Sequence, residues 1–545
     1  MWLLARLQAL GPIISQICEI AGTPGLSLGV LHHGEVVHLA NFGVRDVDTH
    51  LPPDEHTAYV IGSMTKAITA AMIGILVDEG KLTWTTKLHD IIPTFQRAEY
   101  DPANNITITD LLSHRTGLPS YDAYWLLSDN KIPITRADAV PILSHVPIAA
   151  DLRTEFVYNN MAYEVLGQVI EKVSGANYST FLTNRILNPL EMTQTFYTTL
   201  PSDFKNVAKG YNALQNASVV SVPPPIYGDD VLMGAAGGVR SSVHDLLILY
   251  NAFIDAAGSQ IQGRTLTIPQ NPLRQLDHIF QGKISLPPST LLEASYASGW
   301  GRLQLPLSNK LGYDPPMSTL GVGLPSRLCL HHGGAIFGYL TFTAIFPETG
   351  SAVVVLSNSY SLVNAPVLVG HLLIEELFGN TINVTDFTEY AKTAARTNAA
   401  AMDNIKIQLI QNRTVEEPAN PLQAYVGTYY NSINNFFIEI RQKDGHLAVH
   451  FMGLEGFDLE PFQHNSFFWY MSYDELARRA RLAGFPMEYY IIEFAHVHGE
   501  GNATDDPGSD GINALRWKHE FALKDKGEVF RKRNRLDEPF GQQKG

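Results

Sequence analysis

The run Tyr59-Val60-Ile61-Gly62-Ser63-Met64-Thr65-Lys66, continued without another charge from Ala67 to Val77, constrains this chain more than any other stretch. Gly80 follows where a helix C-cap is expected, so the segment reads as an extended entry that turns into a buried helix at Ser63. Residues three apart share a helix face, which makes Ser63 and Lys66 neighbours at the helix N-terminus. An ammonium is disfavoured there twice. Burial without a partner is costly, and the macrodipole opposes a cation in the first turn by about 0.3 kcal/mol or more. Both effects favour the neutral amine, which can accept the proton of the Ser63 hydroxyl. Ser-x-x-Lys recurs at Ser128/Lys131 and Ser202/Lys205, but Pro133 closely follows the first and the second lies in a polar stretch after Pro201. Neither opens an apolar helix.

Length and charge narrow the classes. At 545 residues the chain exceeds one ordinary core, and two or more domains are expected. Hydrophobic residues at 45% and charged residues at 17% describe a soluble globular protein. A net charge of -15 without a basic cluster argues against nucleic acid as a partner. Cys18 and Cys329 are too few for a disulfide framework and sit in core-like contexts. Arg6, Gln8 and Pro12 break the apolar start before a secretory core develops, and no run approaches the roughly 18 apolar residues of a membrane span. A cytoplasmic protein with a small-molecule substrate and no membrane association is the expectation, with the sequons at Asn105 and Asn177 incidental and the oligomeric state open.

In chain order, residues 1–22 read as an amphipathic helix, and Leu26–Leu31 and Glu35–Asn41 as a hairpin across His32-His33-Gly34. The stretch from Ile106 to His114 reads as a helix start capped by Thr109. Residues 115–157 are loop-rich and form a candidate substrate-facing flap. Met161–Val173 has helical spacing and ends at Gly175, placing Tyr158 and Asn160 at another helix mouth. The glycine-rich turn Gly234–Ser242 leads into a helix over Asp245–Ala257; no Gly-Lys-Ser/Thr follows, which argues against a phosphate loop. Residues 258–325 read as a surface wrap. Leu340–Pro347 and Ser351–Asn358 form a second hairpin just after His331-His332-Gly333-Gly334, a helix follows over Val367–Phe378, and from Tyr425 short strands recur at meander spacing. The expected domains are 1–384, a helical linker 385–417, a small barrel 418–533 and a charged tail 534–545.

A serine acylated beside a lysine also needs a proton donor for the leaving group and an oxyanion hole. Tyr158 fits the first need, although a buried phenol with a satisfied hydroxyl is the alternative reading. Asn160 fits as a partner for Lys66 and substrate. The backbone N–H groups of Ser63 and Ala335 fit the oxyanion hole, with Gly333 and Gly334 allowing close approach. Ser128-Asp129-Asn130 is a rival second motif. No metal or other cofactor is expected: His331 and His332 are adjacent, and His496 and His498 have no third ligand nearby.

Ser63-Met64-Thr65-Lys66, Tyr158-Asn159-Asn160 and His332-Gly333-Gly334, in that order, resemble the three motifs of the serine β-lactamase and penicillin-binding-protein-like family, in its class C-like esterase and D-peptidase branch. Leu111–Pro119, Ala236-Gly237-Gly238 and Pro347–Gly350 support the resemblance, which covers about the first 380 residues. It implies an α/β (α+β) domain of antiparallel sheet flanked by helices, joined to a helical subdomain; the C-terminal strands resemble the lipocalin-like barrel of some members. Two departures stand out. Leu152-Arg153 replaces the Pro-Gly that usually precedes Tyr-x-Asn, and His332 replaces the lysine that helps bind a β-lactam carboxylate. The expected activity is a serine hydrolase cleaving an ester or amide through an acyl-enzyme, with Ser63 as nucleophile, Lys66 and Tyr158 as proton shuttles, and Asn160, His332, Gly333 and Gly334 orienting the substrate. An acyltransferase, a D-stereospecific peptidase and a non-catalytic scaffold are the alternatives.

Overall fold

The computed structural model describes residues 2–197, 200–288, 291–306, 319–380, 385–481, 484–497, 503–504 and 511–533. His498 and the tail 534–545 lie outside the described residues. The chain divides into two compact units, Met1–Leu118 with Ala150–Ala399, and Pro119–Ala149 with Ala400–Gly545.

The first unit is built on an eight-stranded antiparallel sheet in the order Glu35–Gly43, Gly25–His32, Ser351–Ser357, Tyr339–Phe346, Arg327–Ile336, Gly301–Leu305, Ala294–Tyr296, Ile284–Ser285. The two expected hairpins lie side by side in it, joined where Gly25–His32 pairs with Ser351–Ser357 and Leu28 stands opposite Val355, and the strand beyond them sets His332 opposite Thr343. Every residue of Ser351–Ser357 is buried because both sheet faces are covered. On one face Leu26, Leu28, Val353 and Val355 pack with Ile14, Ile17, Val367 and Leu373 from the helices Gly11–Ala21 and Ala365–Leu377. On the other, the helix Val243–Gln262 lies so close to Gly29 that a Cβ there would meet Val243 at 2.6 Å and Leu247 at 2.7 Å.

Three local expectations change. The N-terminal helix is two, Trp2–Ala9 and Gly11–Ala21, because Pro12 starts a new first turn where its missing N–H costs nothing. The cap of the helix Ile108–Leu112 is Thr107, whose N–H and hydroxyl both reach the Asp110 carboxylate. Residues 258–325 are more than a wrap: three of the sheet strands lie there, each two to five residues long.

The second unit contains a closed eight-stranded antiparallel barrel, running from Gly427–Tyr430 through Phe437–Lys443, His446–Phe451, Glu455–Gln463, Ser466–Phe468, Ile491–Val497 and Ala514–Trp517 to Glu528–Arg533, which pairs back on the first strand. Leu447, Val449 and Phe451 are buried while Ala448 and His450 between them are partly exposed, the alternation a one-sided core requires. Trp469 and Trp517 are fully buried with Phe451 and Phe457 against them. Residues 119–149 pack on these strands: the Tyr124 ring stacks on Phe436 at 4.3 Å and its hydroxyl donates to Glu528 at 2.6 Å.

Candidate active site

Ser63 sits in a single 3-10 turn, Gly62–Met64, that runs into the helix Thr65–Asp78. That helix is buried all round from Thr65 to Leu76, and Gly80 ends it in the left-handed region at φ 68°. The turn is pinned from the sheet. Thr341 donates its hydroxyl to the Ile61 carbonyl at 2.9 Å, and a Cβ on Gly334 would lie 2.0 Å from the same oxygen. Only glycine fits there. The strand Arg327–Ile336 pairs with Gly301–Leu305 only as far as His331, so its edge beyond that point faces the turn. The Ala335 backbone nitrogen lies 2.9 Å from where a Cβ of Gly62 would stand.

Around Lys66, which is completely buried, the expected residues converge. Its Nζ lies 2.9 Å from Ser63 Oγ, 2.8 Å from Asn160 Oδ1 and 2.9 Å from the Ala236 carbonyl. Tyr158 donates its hydroxyl to Ser63 Oγ at 2.9 Å from the other side. The Tyr158 and Tyr163 rings lie 4.9 and 5.2 Å from Nζ. Asn160 opens the helix Asn160–Ser174, whose cap is Asn159.

The glycine-rich turn serves this cage. Ala235 and Ala236 in the short helix Gly234–Gly237 present carbonyls to Thr69 and Lys66, so the turn offers acceptors here rather than the N–H cradle of a phosphate loop. Composition marked this turn as glycine-rich without indicating which backbone atoms face the lysine.

His332 is buried and its pKa is pushed down to about 4, first by desolvation and then by the Lys66 charge. It is neutral near pH 7, so the positive charge expected of it on protonation is absent there. Its Nδ1 faces the Gly333 carbonyl at 2.7 Å and so carries the proton, leaving Nε2 to accept from Tyr296 at 2.9 Å. Tyr296 escaped the sequence reading because it lies in one of the short strands. Gly333 is partly exposed, and Ala335 is exposed at the rim.

The departure at Arg153 has a structural counterpart. Arg153 adopts φ 69°, the left-handed conformation glycine favours, while its guanidinium donates to Asp110 at 2.9 and 2.8 Å and its N–H to the Arg115 carbonyl at 2.8 Å. Asp110 is fully buried and also takes Arg115 at 2.7 Å. The arginine thus fixes the segment that enters Tyr158. Ser128-Asp129-Asn130 is engaged within the second unit: the Ser128 N–H donates to Glu455 at 2.8 Å and the Asp129 N–H to the Arg479 carbonyl at 2.6 Å.

Residues 13–368 match the family model described as beta-lactamase, and residues 411–542 one described as a domain of unknown function, DUF3471. The chain is similar to the unguisins hydrolase ungD' of Aspergillus campestris (strain IBT 28561), at 25% identity over 439 residues covering 77% of this chain and 74% of that protein. It is similar to protein flp of Staphylococcus aureus (strain N315), at 32% identity over 220 residues covering 40% of this chain and 43% of flp. In fold it resembles the octameric penicillin-binding protein homologue from Pyrococcus abyssi, with a TM-score of 0.54 and 20% identity over 97% of this chain and 98% of that one. It also resembles the class C beta lactamase from Rhodobacter sphaeroides, with a TM-score of 0.53 and 23% identity over 68% of this chain and 99% of that one.

Proposed function

Because the chain belongs to the beta-lactamase family over residues 13–368, we propose that it is a serine hydrolase that cleaves an ester through an acyl-serine intermediate. One observation carries this reading. The Asn160 Oδ1 and the Ala236 carbonyl can only accept, so each takes one N–H of Lys66. A neutral amine has two N–H groups and one lone pair, and the remaining direction points at Ser63 Oγ, 2.9 Å away. An ammonium fills the same three places with three N–H groups. The cage therefore suits the lysine before and after it takes a proton.

That geometry supports the following steps. Ser63 Oγ attacks the substrate carbonyl as its proton passes to Lys66, and the oxyanion lies between the backbone N–H groups of Ser63 and Ala335. Tyr158 passes a proton to the leaving alcohol, which departs as the carbonyl re-forms. Water then attacks the acyl-serine with the same groups working in reverse. Amide cleavage is the second reading, since Lys66 and Tyr158 can serve a leaving amine as they serve a leaving alcohol, and the relative named a hydrolase fits either.

A neutral His332 provides no charge for a substrate carboxylate, so nitrocefin is expected to be a poorer substrate than a neutral p-nitrophenyl ester. The acylation step tests the mechanism. Its rate falls as acid protonates Lys66, measured by rapid mixing across pH. A flat acylation profile overturns the role given to the amine.

A further inference from the structure

His114 is completely buried beside this cage, and neither the shuttle nor the oxyanion hole uses it. Its backbone is held at φ 56°, a conformation that non-glycine residues rarely take. Two hydrogen bonds accompany that conformation. The His114 carbonyl accepts the Val157 N–H at 2.8 Å, and its Nδ1 accepts the Asn159 N–H at 3.0 Å. These are the residues on either side of Tyr158. The imidazole also lies against the Tyr158 ring, with centroids 4.2 Å apart.

From this geometry we infer that His114 is the positioning residue of Tyr158: it clamps the backbone on both sides of the phenol and supplies the face on which the ring rests. The inference rests on the proton-donor role given to Tyr158 above. Only a neutral imidazole with its proton on Nε2 can act this way, since Nδ1 must keep its lone pair for Asn159. Burial holds the ring neutral, and the charge of Lys66 adds to this once the amine is protonated. Among the described residues Nε2 has no hydrogen-bond partner, and the Tyr163 and Tyr296 rings pack around the imidazole at 5.1 and 4.8 Å. The side chain thus commits its one strong polar contact to the segment that carries Tyr158.

A residue that only supports the fold lowers all reactions alike, whereas one that aims a proton donor matters most when the leaving group needs a proton. The test uses the full-length protein and two esters of one acid, an alkyl ester and a p-nitrophenyl ester whose leaving group departs unprotonated. His114→Gly, which tolerates the left-handed backbone, is expected to lower kcat on the alkyl ester about 100-fold with KM little changed. The loss on the p-nitrophenyl ester is expected to be much smaller. His114→Asn, which keeps an acceptor near the Nδ1 position, restores at least about tenfold of the alkyl-ester loss.

The decisive comparison is in the Tyr158→Phe background, where His114→Gly has no further effect on the alkyl ester because the group it positions is gone. An equal additional loss in that background overturns the inference and leaves the proposed function standing. Full alkyl-ester activity in Tyr158→Phe alone overturns the shuttle and the inference with it. Thermal unfolding checks that each variant folds; if His114→Gly does not, His114→Gln, which moves the acceptor away from Nδ1, carries the same cycle.

Discussion

At Lys66 two opposed effects meet. Complete burial disfavours the ammonium, while the Asn160 and Ala236 oxygens and the faces of Tyr158 and Tyr163 favour it. A base needs this balance, because an amine that is too stable in either form cannot exchange a proton. Tyr158→Phe is expected to lower turnover of an alkyl ester about 10²- to 10⁴-fold and that of the p-nitrophenyl ester less, measured as kcat on purified protein. Equal losses on both esters would assign the phenol another role. At this scale the sequence was informative where chemistry was unusual: a lone lysine in an apolar helix is legible because nothing structural requires it. The Ala236 carbonyl was not legible, since a backbone oxygen leaves no trace in residue type. Nor was Tyr296, which meets His332 only through strand pairing.

Among the elements, the turn before Tyr158 depends on Asp110. The carboxylate caps its own helix through Thr107 and holds Arg115 and Arg153, and these partners keep its pKa below the usual carboxylate value despite burial. Asp110→Ala is expected to destabilise the protein by roughly 3 kcal/mol, from the lost cap and the broken buried pair. Chemical denaturation measures it, and a change under about 0.5 kcal/mol, typical of a plain surface site, would contradict the argument. The elements legible in sequence were those with local punctuation: glycine-ended helices and hairpins with short turns. The strands Ile284–Ser285, Ala294–Tyr296 and Gly301–Leu305 were not legible, because runs of two to five residues are too short to display a strand's alternating pattern. The grouping of residues 119–149 with the C-terminal unit was hidden because its contacts, such as Tyr124 with Phe436 and Glu528, join residues about 300 to 400 positions apart.

For the molecule as a whole, buried histidines set the response to acid. His331, His332 and His371 are all buried, and desolvation pushes their pKa values down to about 3, about 4 and about 4. The unfolded chain's histidines titrate near 6.5. The unfolded state therefore binds protons first, and stability held above pH 6.5 is lost as pH falls toward 4. Each histidine accounts for a loss of about 3 kcal/mol, a large share of a typical 5–15 kcal/mol. Melting temperature is expected to fall steeply between pH 6.5 and 4, and constancy across that window would refute the account of these sites. Two compositional textures, mixed helix and strand before about residue 380 and strand meander after Tyr425, made the antiparallel sheet and the C-terminal barrel legible as fold classes. Mass spectrometry of the full-length protein after reaction with a fluorophosphonate tests Ser63 as nucleophile and Lys66 as its base together. One adduct, on Ser63, is the expected result, and Lys66→Met slows its formation severely while the fold is retained. An unlabelled Ser63 in folded protein, or unchanged labelling in Lys66→Met, would contradict it.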